Sequence, residues 1–169
     1  METNVRIYSL NYREAKTYIF AALFVVGNIV LPQFCHLLPQ GGWIFLPIYF
    51  FTLVGSYKYG MKVGLLTAIL SPIINSLLFG MPVPAVVPSI LFKSIILAIV
   101  AGYVASRYNR VTLLALTIVV LTYQIIGTFA EWAMVKDFFN AIQDFRIGVP
   151  GMLLQIFGGY ALIKYVIKK

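Results

Sequence analysis

Charge is what this chain has least of. Only 11% of its 169 residues are Asp, Glu, Lys or Arg, where a soluble domain carries about a quarter. Such a chain cannot cover itself with a polar surface, which excludes a soluble globular fold. Acids are the scarcer sign, with five Asp and Glu against thirteen Lys and Arg. The single cysteine, Cys35, excludes an intramolecular disulfide. One histidine beside one cysteine leaves no set from which to build a clustered metal site. No GxxxxGKS/T run is present, so the chain does not hydrolyse ATP through a P-loop. The first sixteen residues are too polar for a signal-peptide core, and no cleaved leader is expected.

What is abundant is apolar length: 61% of the residues are hydrophobic. At about 20 residues per crossing, the chain has room for about six spanning helices and no separate soluble domain. The expectation is an all-α membrane protein, a single integral domain over 1–169 in which six transmembrane helices form a compact bundle. The spans are placed at about 17–35, 43–57, 61–79, 86–106, 111–133 and 148–167. The second is short and interrupted by Pro47, so it either begins near Leu37 or is broken. With these spans, Arg6, Arg13, Lys16, Lys58, Lys62, Arg107, Arg110, Lys164, Lys168 and Lys169 fall on one side. Lys136 and Arg146, beside Glu131, Asp137 and Asp144, fall on the other. That asymmetry follows the positive-inside rule and puts both termini in the cytoplasm. The basic excess is topological and does not mark a nucleic-acid surface.

Lys93 is the residue that most needs a reason. It lies about 10–13 Å into the fourth span at 1.5 Å per residue, and a cation at that depth usually faces protein or a watery cavity. Four other spans carry amides at similar depth. Asn28 shares a face with Thr17, Ala21, Phe24, Pro32 and Cys35, and Pro32 frees the Asn28 carbonyl by lacking an N–H. Asn75 ends a small-residue stripe through Gly64, Ala68 and Ser71, and Pro72 frees the Ala68 carbonyl in the same way. Gln124 aligns with Thr117, Thr128 and Glu131 on the fifth span. Gln155 lies near Gly151, Gly158 and Gly159 on the sixth. Trp43 reads first as an interfacial aromatic, and the 134–148 loop as a solvated connection or an amphipathic lid.

Lys93, Asn75, Asn28, Gln124, Gln155 and Glu131 thus form a candidate substrate-binding set in the outer half of the bilayer. The inner halves of the same helices are nearly free of polar side chains. A pore or a self-sufficient carrier needs polar groups through the midplane, so this pattern suits capture from outside with help to release inward. Lys93 offers a cation to an anionic or carbonyl-bearing ligand, and a carboxylate, a pyrimidine or a pterin-like ring would each fit. No cofactor is called for. The alternative is a structural scaffold subunit of a membrane complex of the cell-wall elongation type, with contact faces and no small-molecule ligand. An intramembrane enzyme is disfavoured, because no acid pair shares the depth of Lys93 and no Ser–His arrangement lies near it.

The run YKYGMKVGLLTAILSPIINSLLFGMPVP, a Tyr/Gly entry into a small-residue helix and a short outer loop, resembles the substrate-binding S components of energy-coupling factor (ECF) transporters. Chain length, span number and an outward pocket are also similar to that family. The resemblance implies a non-enzymatic subunit of an ABC-type importer in a prokaryotic cytoplasmic (inner) membrane. It would capture a water-soluble vitamin or precursor and work with a transmembrane coupling subunit and two ATPase subunits. It further implies lids from the loops after spans one and five, making Gln33, His36, Gln40 and Trp43 lid candidates. The family's alanines four apart in the first helix are absent, since Val25 and Val26 follow Ala21 and Ala22. Docking on the coupling subunit is therefore assigned to Gly60, Gly64, Ala68, Ala101 and Ala105. Nickel and cobalt members share a Met-His start, whereas this chain begins Met1-Glu2, so a metal substrate is disfavoured.

Overall fold

The computed structural model describes residues 6–167, all helix, turn and loop with no strand among them. Met1, Glu2, Lys168 and Lys169, used above for the start motif and the charge balance, lie outside the described residues. Five helices are long and apolar enough to cross a membrane: α1 (Ala15–Cys35), α4 (Met61–Phe79), α5 (Val87–Tyr108, entered through a short 3-10 turn at Pro84–Val86), α6 (Leu113–Val135) and α9 (Val149–Val166). Their outward faces are apolar. On α6, Leu114, Ile118, Leu121, Ile125 and Phe129 are all exposed at helical spacing, while Gln124 on the opposite face is fully buried. A helix that turns its oily face outward and its amide inward is built for lipid. The chain is a multi-pass membrane protein.

Helix ends fall where local chemistry stops or starts them. Thr112 caps α6 by accepting the Ala115 N–H at 3.1 Å. Gly80, Asn109 and Lys136 close α4, α5 and α6 in the left-handed conformation, the usual way to turn the chain out of a helix. In α9, α-helical turns alternate with π-helical ones at Leu154–Gly158 and Leu162–Val166.

The 41–59 stretch is broken. It consists of α2 (Gly41–Phe45), a 3-10 turn at Pro47–Tyr49 and α3 (Phe50–Tyr59). Leu46, at φ 46° and ψ 47°, separates the first two. A left-handed conformation at a non-glycine residue is strained by about 1–3 kcal/mol, and Pro47 keeps the residue before it out of the right-handed helical region, so α2 cannot continue through Leu46. A tight turn with Gly41 N–H on the Leu38 carbonyl starts this stretch beside the end of α1. At its other end the N–H groups of Tyr8 and Leu10 reach the Lys58 and Tyr59 carbonyls at 2.9 and 3.1 Å. The broken segment therefore runs the length of the bundle, antiparallel to α1, with residues 52–60 all buried.

One expectation needs correction here, and it follows from how this turn is covered. Lys58 is fully buried, with Nζ 2.6 Å from the Arg6 carbonyl and 5.3 Å from the Tyr8 ring centroid. The amino-terminal segment folds back over the turn and covers it. The docking positions Gly60, Gly64, Ala68, Ala101 and Ala105 are buried as well, and Gly60 lies under residues 8–10. They serve close packing within the bundle, so they offer a partner no surface.

Gly64 shows how close that packing is. A Cβ there would stand 2.3 Å from the Ser56 Cβ and 2.9 Å from its Cα, and Ser56 Oγ donates to the Ala98 carbonyl at 2.5 Å. Gly64→Val must separate α3 from α4 and disturb that bond to α5. We expect it to lower unfolding free energy in detergent by about 1–3 kcal/mol, read as the shift of an SDS or thermal unfolding midpoint.

Candidate functional site

At the end of the bundle away from the basic residues lies a cavity of about 260 Å³. The α1 terminus, the broken stretch, the 81–86 turn, α5, α6 and the 137–148 connection contribute its walls. Lys93 is its charged centre. The residue is 3% exposed, with Nζ 2.5 Å from Glu131 Oε2 and 2.8 Å from Asp144 Oδ2. It does not reach for the interface along its stem; it is held in place.

The sequence around each member explains the placement. Lys93 sits in the second turn of α5, pointing at α6. There Gly127 makes the room, since a Cβ at 127 would lie 2.5 Å from the Lys93 Cγ. Glu131 follows one turn later on the same face of α6 and receives the ammonium. Asp144 arrives from the other direction. Lys136 turns the chain out of α6, and Asp137 then caps the short α7 (Phe138–Ala141) by accepting the N–H groups of Phe139 at 2.9 Å and Asn140 at 3.3 Å. Ala141 is buried beneath, so α8 (Gln143–Arg146) folds inward and Asp144 becomes 6% exposed.

Asn75, on α4, is the wall's neutral polar group. It is 1% exposed, and its Nδ2 donates to the Asn28 carbonyl at 2.8 Å. That carbonyl is the one Pro32 leaves free, as the sequence implied. A backbone carbonyl only accepts, so the amide orientation is fixed and Oδ1 is the end left over. Oδ1 has no hydrogen-bond partner.

The other proposed binding residues divide. Glu131 lines the cavity; Asn28, Gln124 and Gln155 are fully buried but off its wall. Asn28 instead ties three helices together. Its Nδ2 donates to Thr52 Oγ1 at 3.0 Å and Ser71 Oγ at 3.2 Å, and its Oδ1 accepts the Phe51 N–H at 3.1 Å. That last bond satisfies a first-turn donor of α3 which its own cap residue leaves unmet. Gln155 Oε1 accepts the Tyr123 hydroxyl at 2.8 Å, and Tyr123 packs at 5.5 Å against Tyr49 in the cavity wall. Gln124 has neither amide atom hydrogen-bonded, and the structure gives no physical account of it. Of the lid residues, His36 and Trp43 line the cavity, while Gln33 and Gln40 do not.

Asp144 is the residue that sequence reasoning missed, and it corrects two statements. An acid pair does share the depth of Lys93, and the 137–148 connection is not a freely solvated loop. Among the described residues no three His, Cys, Asp or Glu side chains gather to hold a metal. The assembled chemistry is one ammonium and two carboxylates, with the Asn75 amide, the His36 ring, the Ser89 hydroxyl and the Tyr49 and Trp43 rings along a largely apolar wall. No family model, curated protein or solved structure matches the chain. The geometry therefore has to carry the functional argument alone.

Proposed function

We propose that this protein is a membrane-embedded capture subunit that takes a small water-soluble molecule from outside the cell into the Lys93 cavity. The observation that carries the reading is the Lys93–Glu131–Asp144 cluster, three charged groups held together on the wall of a cavity among apolar helices. Charged side chains within membrane spans mark functional sites by default, and a polar solute in the cavity would use this one. The volume, about 260 Å³, lies near the lower end of small-molecule sites and suits a single-ring solute.

In this reading the broken 41–59 stretch is the sixth crossing, and the positive-inside rule supports both ends of the chain on the cytoplasmic side with the cavity outside. With no ATPase motif of its own, the chain fits the substrate-binding S component of an ECF-type importer in a prokaryotic inner membrane. A coupling subunit and two ATPase subunits would then supply release. The buried Gly and Ala stripes leave docking to the exposed apolar faces. The competing scaffold reading needs no cavity and no charge cluster on its wall.

The test is denaturing mass spectrometry of the purified protein, isolated from cells grown in rich medium. The expected result is one small solute released in near-stoichiometric amount and missing from preparations of Asn75→Leu. Release of no solute, with co-isolated cell-wall synthesis proteins instead, would sink capture in favour of the scaffold.

A further inference from the structure

Resting on that reading of the cavity, the geometry points to the chemical class of its occupant. We infer that it is a small organic cation, an ammonium or amidinium group carried on an apolar or aromatic body. From the sequence alone, Lys93 is a cation offered to an anionic or carbonyl-bearing ligand. The structure reverses the sign. Lys93 is the cavity's single cation, and its ammonium is already shared between two carboxylates at 2.5 and 2.8 Å. The cluster therefore carries a formal charge of −1 behind an apolar wall, where charge is screened little.

Beside the charge cluster, what remains unused is carboxylate acceptor capacity. Lys93 engages Oε2 of Glu131 and Oδ2 of Asp144, leaving the second oxygen of each carboxylate to other donors. The N–H and O–H groups of His36, Trp43, Tyr49 and Ser89 share the lining but carry no formal charge to offset the cluster. Free carboxylate oxygens and a net negative charge recognise N–H donors carrying positive charge. A carboxylate ligand would meet two like charges. The walls agree. Tyr49, 3% exposed, and Trp43, half exposed nearer the mouth, present aromatic rings, whose faces attract cations and disfavour anions.

A matched series of probes separates charge from shape: benzamidinium, neutral benzamide and benzoate have nearly the same outline. The full-length protein in detergent is titrated with each at equal ionic strength, and its thermal midpoint and binding isotherm are recorded. Benzamidinium is expected to raise the midpoint by several degrees at millimolar concentration, benzamide by less, and benzoate not at all. Glu131→Gln keeps the Lys93–Asp144 pair, so the fold is retained. It removes the net charge and should weaken benzamidinium by more than about tenfold. Stabilisation by benzoate above benzamidinium would overturn the cation inference and leave capture standing. Equal benzamidinium affinity in Glu131→Gln would overturn the site. No response to any of the three would overturn the cation inference, while capture itself stands or falls on the solute released in mass spectrometry.

Discussion

Lys93→Met is expected to destabilise the protein by about 3–5 kcal/mol, the largest single effect foreseen for this chain. The reason is what the substitution leaves behind. Glu131 and Asp144 would face each other in a low-dielectric cavity without the ammonium that both now contact. Breaking a buried pair by removing one partner strands an uncompensated charge, which costs far more than the pair contributes. The complementary experiment removes all three charges together. Lys93→Met with Glu131→Gln and Asp144→Asn should unfold close to the parent protein, because a neutral cluster of similar volume has no desolvation debt. Unfolding midpoints in one detergent decide the matter. A single variant as stable as the parent would mean that the carboxylates do not depend on Lys93. Capture should be lost in the triple variant even though its stability is kept, which separates the cluster's role in folding from its role in binding.

Asn28→Ala is the second large effect, at about 2–4 kcal/mol, and it should be purely structural. The side chain makes three hydrogen bonds to α3 and α4. Its loss leaves the Phe51 N–H without an acceptor and deprives the Thr52 and Ser71 hydroxyls of a donor. Each buried group so orphaned costs about 1–3 kcal/mol. The backbone carbonyl of residue 28, which holds Asn75, survives the change. Probe affinity per folded molecule is therefore expected to move little while the unfolding midpoint falls. A large loss of affinity at unchanged stability would instead return Asn28 to the cavity wall.

Much of the fold is legible in the sequence because membrane spans are written in long apolar runs. The expected 61–79 helix is α4, Met61–Phe79, residue for residue, and the other four long helices begin and end within about two residues of expectation. Pro47 announced a broken second segment, and Pro32 announced a free carbonyl at Asn28; both effects are backbone chemistry that one residue dictates. Facing was not legible. Asn28, Gln124 and Gln155 are inside the bundle, yet they lie off the cavity wall. A period of 3.6 gives a face within one helix, and only the packing of neighbours decides which faces share a void. Asp144 was missed for a related reason, since a short connection has no period to read. The signal was arithmetic: a lysine at that depth requires a counter-charge, and Glu131, Asp137 and Asp144 are the acids on its side.

The distance in sequence between Lys93 and its partners has a consequence for how the protein is made. Synthesis delivers α5 before α6 and long before α8, with Asp144 trailing Lys93 by 51 residues. The ammonium must enter the bilayer with neither carboxylate present, at a cost of about 2.5–3.5 kcal/mol at a helix centre. The Pro84–Tyr108 stretch is the most apolar of the five candidate spans, which offsets that cost while the partners are still in the ribosome. The cavity is consequently among the last parts of the molecule to form, and chains stalled before residue 144 should insert yet remain open to proteolysis at their outer loops.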